Sequence, residues 1–192
     1  MTGGNKTKYI KIAGTGLGRA DLHIIDEYLQ AGKIIVYPTD TVYGIGCLAD
    51  QEKSISRIAA IKGRDARPSF LMLISSLEML HRFADCRDEH IDYLQKIWPG
   101  PVTVIVRGKG NLPRCLDQDG KIALRLPKSR FLVRIIEKAG KPLISTSLNL
   151  SGQDVIPDPS ALADHFPDNT FDLIIDAGPA ATGRASSIID IT

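Results

Sequence analysis

Lys33–Tyr37, KIIVY, runs without a break into YPTDTVYGIG at 37–46, and the fold is decided at this junction. Two isoleucines, a valine and a tyrosine with no polar alternation read as a strand buried on both faces. Pro38 cannot donate to a ladder and ends it. Thr39, Asp40 and Thr41 follow, then Gly44 and Gly46. In extended chain Tyr37, Thr39, Thr41 and Tyr43 share one side, which predicts a small wall of hydroxyls where the strand leaves the core. The competing reading is a turn whose hydroxyls cap their own backbone.

Outward from this junction, short apolar runs alternate with amphipathic stretches. Upstream, 9–12 reads as a strand, and 21–31 as a helix with Leu22, Ile25 and Leu29 on one face and Gly32 as its stop. Downstream, Ser54 is placed as the N-cap of a helix through Lys62 with Ile55, Ile58 and Ala59 inward. Strands are predicted at 70–74, 102–106, 122–126, 143–146, 173–175 and 188–191. Two helices fall within 76–98, broken near 85–88, and others at 131–139 and 160–165. Trp98-Pro99-Gly100-Pro101 is sharp punctuation. No repeat or linker interrupts the pattern, which implies one α/β domain over residues 1–192, a mixed sheet flanked by helices.

Composition excludes several classes. At 192 residues with 43% hydrophobic and 24% charged residues, the chain is expected to bury a full core without disulfides or metal. It has no run long enough to span a bilayer and no apolar signal core at its start, so a cytoplasmic protein is expected. Cys47, Cys86 and Cys115 are odd in number and lack C-x-x-C spacing, hence structural thiols. His23, His81, His90 and His165 all fall in segments that read as helix. A net charge of +2 confines any nucleic-acid role to a local patch. There is no G-x-x-x-x-G-K-[ST] phosphate loop.

Three further segments carry chemistry. In KGR at 62–64, Lys62 suits the end of a helix, while Arg64 and Arg67 crowd a glycine-containing turn fitted to phosphate oxygens. STSLNLSG at 145–152 continues the strand KPLIS and alternates Ser145, Ser147 and Asn149 along one side. Polar groups at the carboxyl end of a strand are where open α/β sheets bind ligands. IALRLP at 122–127 sets Arg125 in an otherwise apolar strand, where its charge must be paired internally or serve a ligand carboxylate or phosphate.

Taken with WPGPVTVIV and GRASSIID, these segments resemble the YrdC family of threonylcarbamoyl-AMP synthases along nearly the whole chain. The resemblance implies a twisted mixed sheet flanked by helices with a concave basic cavity, and a nucleotidyltransferase reaction. In that reaction L-threonine and bicarbonate give N-carboxythreonine, whose carboxylate attacks the α-phosphate of ATP and releases pyrophosphate. Threonylcarbamoyl-AMP then passes to a complex that modifies tRNA. Carried over by position, Thr41, Arg125, Ser145 and Ser186 hold threonine, and Lys62, Arg64, Lys121, Ser147 and Asn149 hold ATP. Lys62, Arg64 and Arg125 are the catalytic set. Mg²⁺ comes with the nucleotide, and no protein metal site is expected. The chain departs from the family pattern at Phe70, Leu148 and Ala185, and the resemblance ends at Thr192, short of an Arg-bearing final strand. Phe70 and Leu148 are nearer the YciO-type paralogues, and the alternative is a YciO-like RNA-binding protein without turnover, using Lys62, Arg64, Arg67 and Lys128.

Overall fold

The computed structural model describes residues 6–12, 17–63, 70–180 and 184–192. In chain order they form β1 (Lys8–Lys11), α1 (Arg19–Gln30), β2 (Ile35–Tyr37), β3 (Gly44–Gly46), α2 (Glu52–Ile61), β4 (Leu71–Leu73), α3 (Leu77–Phe83), β5 (Ala84–Asp85), α4 (Asp88–Ile97), β6 (Val102–Gly108), β7 (Lys121–Arg125), α5 (Arg130–Ala139), β8 (Leu143–Ser147), β9 (Leu173–Asp176) and β10 (Ser187–Asp190). The strands make one sheet in the order β1-β9-β2-β3-β8-β4-β7-β6-β10, with β5 paired to β6. Pairs β1/β9, β2/β9, β4/β7 and β6/β10 are parallel; β2/β3, β3/β8, β4/β8, β5/β6 and β6/β7 are antiparallel. The expected mixed α/β sheet is therefore present.

Local sequence accounts for the elements. The Ser129 hydroxyl accepts the Leu132 N–H at the start of α5, Leu132, Ile135, Ile136 and Ala139 form its buried stripe, and Gly140 ends it at φ +70°. Helix α1 buries Ile25 and Leu29 and packs against α5. All of β2 is buried, and Ile144, Leu124, Val104 and Met72 continue the core across the central strands. Each such side chain contributes about 2 kcal/mol by leaving water.

Four expectations need correction. Ser54 is not an N-cap: α2 starts at Glu52, and the Ser54 hydroxyl donates to the Gly32 carbonyl at 2.7 Å, tying α2 to the end of α1. The segment 160–165 is a 3-10 turn, Pro159–Asp164, capped by Asp158, in keeping with the short runs in which this tighter helix occurs. Gly44–Gly46 is a strand where no element was expected.

The stretch 38–43 is a loop, so the four hydroxyls of 37–43 do not form one wall. The Thr39 hydroxyl accepts the Thr41 and Val42 N–H groups at 2.9 and 3.1 Å and donates to the Val42 carbonyl at 2.6 Å, the self-capping turn. Tyr37 is fully buried and donates to the Ile144 carbonyl. The Tyr43 hydroxyl donates to the Gly178 carbonyl at 2.6 Å. Only Thr39 and Thr41 of the expected wall bring their hydroxyls to a common place.

Candidate active site

Antiparallel register places the site. Ser145 on β8 lies opposite Leu71 on β4, Leu71 beside Ala123 on β7, and Ala123 opposite Ile105 on β6. That row floors a cleft of about 370 Å³. Because β7 and β8 run in opposite directions, two residues further along each strand lead to opposite ends. Arg125 and its β6 neighbour Thr103 stand at one end and Ser147 at the other, about 13 Å apart along the strand direction. Thr39, Thr41 and Tyr43 wall the cleft from the β2–β3 loop, and Ala185, Ser186 and Ile188 wall it from β10 and the residues before it. Phe70 adds an apolar surface.

Arg125 is held from three sides. Its Nε donates to the Gly100 carbonyl at 2.9 Å, Nη1 to Thr41 Oγ1 at 3.1 Å, and Nη2 to Asp40 Oδ1 at 2.7 Å. The Asp40 second oxygen accepts the Lys128 N–H. The WPGP segment thus supplies a backbone acceptor, and the TDT turn supplies a carboxylate and a hydroxyl. Of the two alternatives raised by a buried arginine, the internal pairing is present, with the side chain 4% exposed, and Arg125 also lines the cleft. Arg125 is the cation among the described lining residues. Two further N–H groups of its five-donor fork remain beyond these three bonds.

The other expected residues fall into distinct places. Thr41, Ser145, Ser147 and Ser186 line the cleft. The Ser186 hydroxyl lies 2.8 Å from that of Thr103, a residue that sequence reasoning missed although its alternation with Ile105 along VTVIV signals a shared face. Lys62 and Asn149 sit behind Ser147 rather than in the cleft wall, and Lys62 is 1% exposed. Lys121 shares the cleft face of β7 with Ala123 and Arg125, at the Ser147 end, and its ammonium pairs with Asp190 at 3.0 Å. Arg64 and Arg67 lie outside the described residues.

Burial holds the phenols of Tyr37 and Tyr43 neutral. Complete burial pushes the Tyr37 phenol far above its ordinary range. Partial burial raises that of Tyr43, opposed by the Ala177 N–H it accepts and assisted by Asp176 and Asp158. Among the described residues, no group of three histidines, cysteines or carboxylates converges as a metal site, and no helix is long and apolar enough to cross a membrane. The arrangement is therefore suited to holding a carboxylate at the Arg125 end and hydrogen-bonding groups at the Ser147 end, with apolar surface between them.

A family model for the Sua5/YciO/YrdC domain, described as "Telomere recombination", matches residues 27–192. The chain belongs to this family. Within the Sua5/YciO/YrdC family it is 32% identical over 176 residues to a threonylcarbamoyl-AMP synthase of Pyrococcus abyssi, covering 89% of this chain and 51% of that one. The chain thus spans about half the length of this curated relative. The crystal structure of P. abyssi Sua5 complexed with L-threonine superposes with a TM-score of 0.89 at 28% identity, covering 96% of this chain and 54% of that one. Escherichia coli YciO superposes with a TM-score of 0.87 at 26% identity, covering 97% and 91%.

Proposed function

We propose that the chain is an L-threonylcarbamoyladenylate synthase, a nucleotidyltransferase that joins the carboxylate of N-carboxythreonine to the α-phosphorus of ATP and releases pyrophosphate. The observation that carries this reading is the Arg125 end of the cleft. A guanidinium fixed by Gly100, Thr41 and Asp40 shares the cleft lining with the hydroxyls of Thr41, Ser145 and Ser186, and a structural relative of the same family was crystallised with L-threonine. In this reading Arg125 binds the amino-acid carboxylate, its fork matching two oxygens, while Thr41, Ser145 and Ser186 bind the remaining polar groups. The nucleotide lies toward Ser147, Asn149, Lys62 and Lys121, with Arg64 in the same group.

Transfer of this kind needs alignment and neutralisation of charge more than a protein nucleophile, and the cleft supplies hydroxyls and a cation. Mg²⁺ is proposed to arrive on the ATP phosphates and to neutralise their charge. Bicarbonate is the further substrate, a tRNA-modifying complex the recipient, and the cytoplasm the place of action.

The deciding assay is pyrophosphate release from ATP with bicarbonate and Mg²⁺, with and without L-threonine. Threonine-dependent release that falls at least 100-fold in Arg125→Ala supports the synthase. The second reading, RNA binding without turnover, draws on the near-complete overlap with YciO. Burial of Lys62 takes an expected direct contact from both readings, while Lys128 is exposed. No release from folded protein, together with RNA binding whose affinity falls steeply with salt, would replace the synthase by this reading.

A further inference from the structure

Lys62 reaches from the end of α2 to the loop after β8. Its Nζ donates to the Ser147 carbonyl at 2.7 Å, the Asn149 carbonyl at 2.6 Å and Asn149 Oδ1. Three oxygens surround the ammonium, enough to engage its three N–H groups. An ammonium buried to 1% exposure is tolerable only with such partners, and moving it to a phosphate would take a charged donor from both the Ser147 and Asn149 carbonyls.

The chemistry of the donors then propagates outward. Lys62 can only donate, so the Asn149 atom facing it must be its oxygen; the Asn149 amide nitrogen correspondingly donates to the Gln153 carbonyl at 2.6 Å. The same Asn149 oxygen lies 2.6 Å from Ser147 Oγ, and an amide oxygen can only accept, so the Ser147 hydroxyl hydrogen is turned inward. Of these three side chains, only that of Ser147 lines the cleft, and it presents lone pairs there.

We infer that Lys62 and Asn149 are positioning residues that set Ser147 as a hydrogen-bond acceptor, so that its ligand contact is a donor of the nucleotide, a ribose hydroxyl or the adenine amino group, and not a phosphate oxygen. This rests on the nucleotide reading of the cleft and reassigns its contacts.

The test is calorimetric binding of ATP, AMP, 2′,3′-dideoxy-ATP and purine riboside triphosphate to wild type, Ser147→Ala, Lys62→Met and the double variant, each checked for folding by circular dichroism. The Ser147→Ala penalty should be about tenfold for both ATP and AMP and vanish for whichever analogue lacks the donor. The double variant should bind no worse than the weaker single one. A Ser147→Ala penalty kept by both analogues and growing from AMP to ATP, or additive losses with Lys62→Met, overturns the inference. Should Lys62→Met not fold, Asn149→Ala replaces it in the same cycle. If wild type binds no nucleotide, the synthase reading fails. The network itself is then judged by the ¹⁵N signal of the Lys62 ammonium: slow exchange with water sustains it, and loss of the signal to exchange overturns it.

Discussion

A single side chain shows how far a residue can be read alone. Arg125 announces itself as a charge within IALRLP, and its need for a partner follows from burial. The partner does not, because Asp40 is 85 positions away and only the register of β7 against the rest of the sheet brings them to 2.7 Å. Thr41 was legible as a polar residue in an odd place and Ser186 only through the family resemblance; Thr103, which orients against Ser186, was hidden inside a strand that looks like core. The Arg125–Asp40 pair has side chains 4% and 15% exposed, and removing one partner leaves an uncompensated charge. Asp40→Ala should therefore cost about 3 kcal/mol in urea unfolding. Asp40→Asn, which keeps an acceptor for Arg125, should cost less. Threonine-dependent activity should fall in both. A loss of stability below about 0.5 kcal/mol in Asp40→Ala would show that the pair does not hold the arginine in place.

At the scale of elements, long amphipathic segments such as α1 and α5 were legible within one or two residues, since their apolar stripe and stop signals agree. Strand β3 was not, because Gly-Ile-Gly has little preference for extended chain by itself. Its glycines are required by what lies against them. A Cβ on Gly46 would sit 2.0 Å from the Ile144 carbonyl oxygen and 2.8 Å from the Tyr37 hydroxyl, and one on Gly44 would sit 3.0 Å from the Tyr37 ring. The buried tyrosine of KIIVY thus lies over the two glycines of the next strand, and this packing lets β3 bridge β2 to β8. Gly46→Ala must displace β8 backbone and should cost about 3 kcal/mol, with pyrophosphate release reduced because Ser145 and Ser147 move with β8. Gly140→Ala is the contrast: φ is +70° but nothing lies within 4 Å, so strain of about 1 kcal/mol is its whole cost. Equal melting temperatures for the two variants would rule out the packing account.

For the molecule as a whole, the sheet order was beyond the sequence, because strands adjacent in space, such as β2 and β9 or β4 and β8, are brought together by register rather than by any local signal. One global consequence is a dependence of stability on alkaline pH. Cys47 is buried, and its thiol is pushed up to about 12 from an ordinary 9.0, first by desolvation and then by nearby Asp50. Tyr37, fully buried, is raised in the same direction. Both groups are held neutral in the fold and ionise freely once the chain unfolds. For a folded pKa above the unfolded one, the contribution is fully present below the unfolded value and is lost as pH rises toward the folded value. Urea midpoints should accordingly be flat from pH 7 to about pH 8.5. They should then decline up to about pH 11, Cys47 alone contributing about 1.4 kcal/mol per pH unit above 9. Cys47→Ala should begin lower, because it leaves a cavity among Cys47's buried neighbours, yet decline less steeply; Cys86 and Cys115, only partly buried, should be labelled by a thiol reagent in the native state while Cys47 reacts only on unfolding. An alkaline slope that is identical in wild type and Cys47→Ala would mean that other groups govern the loss of stability at high pH.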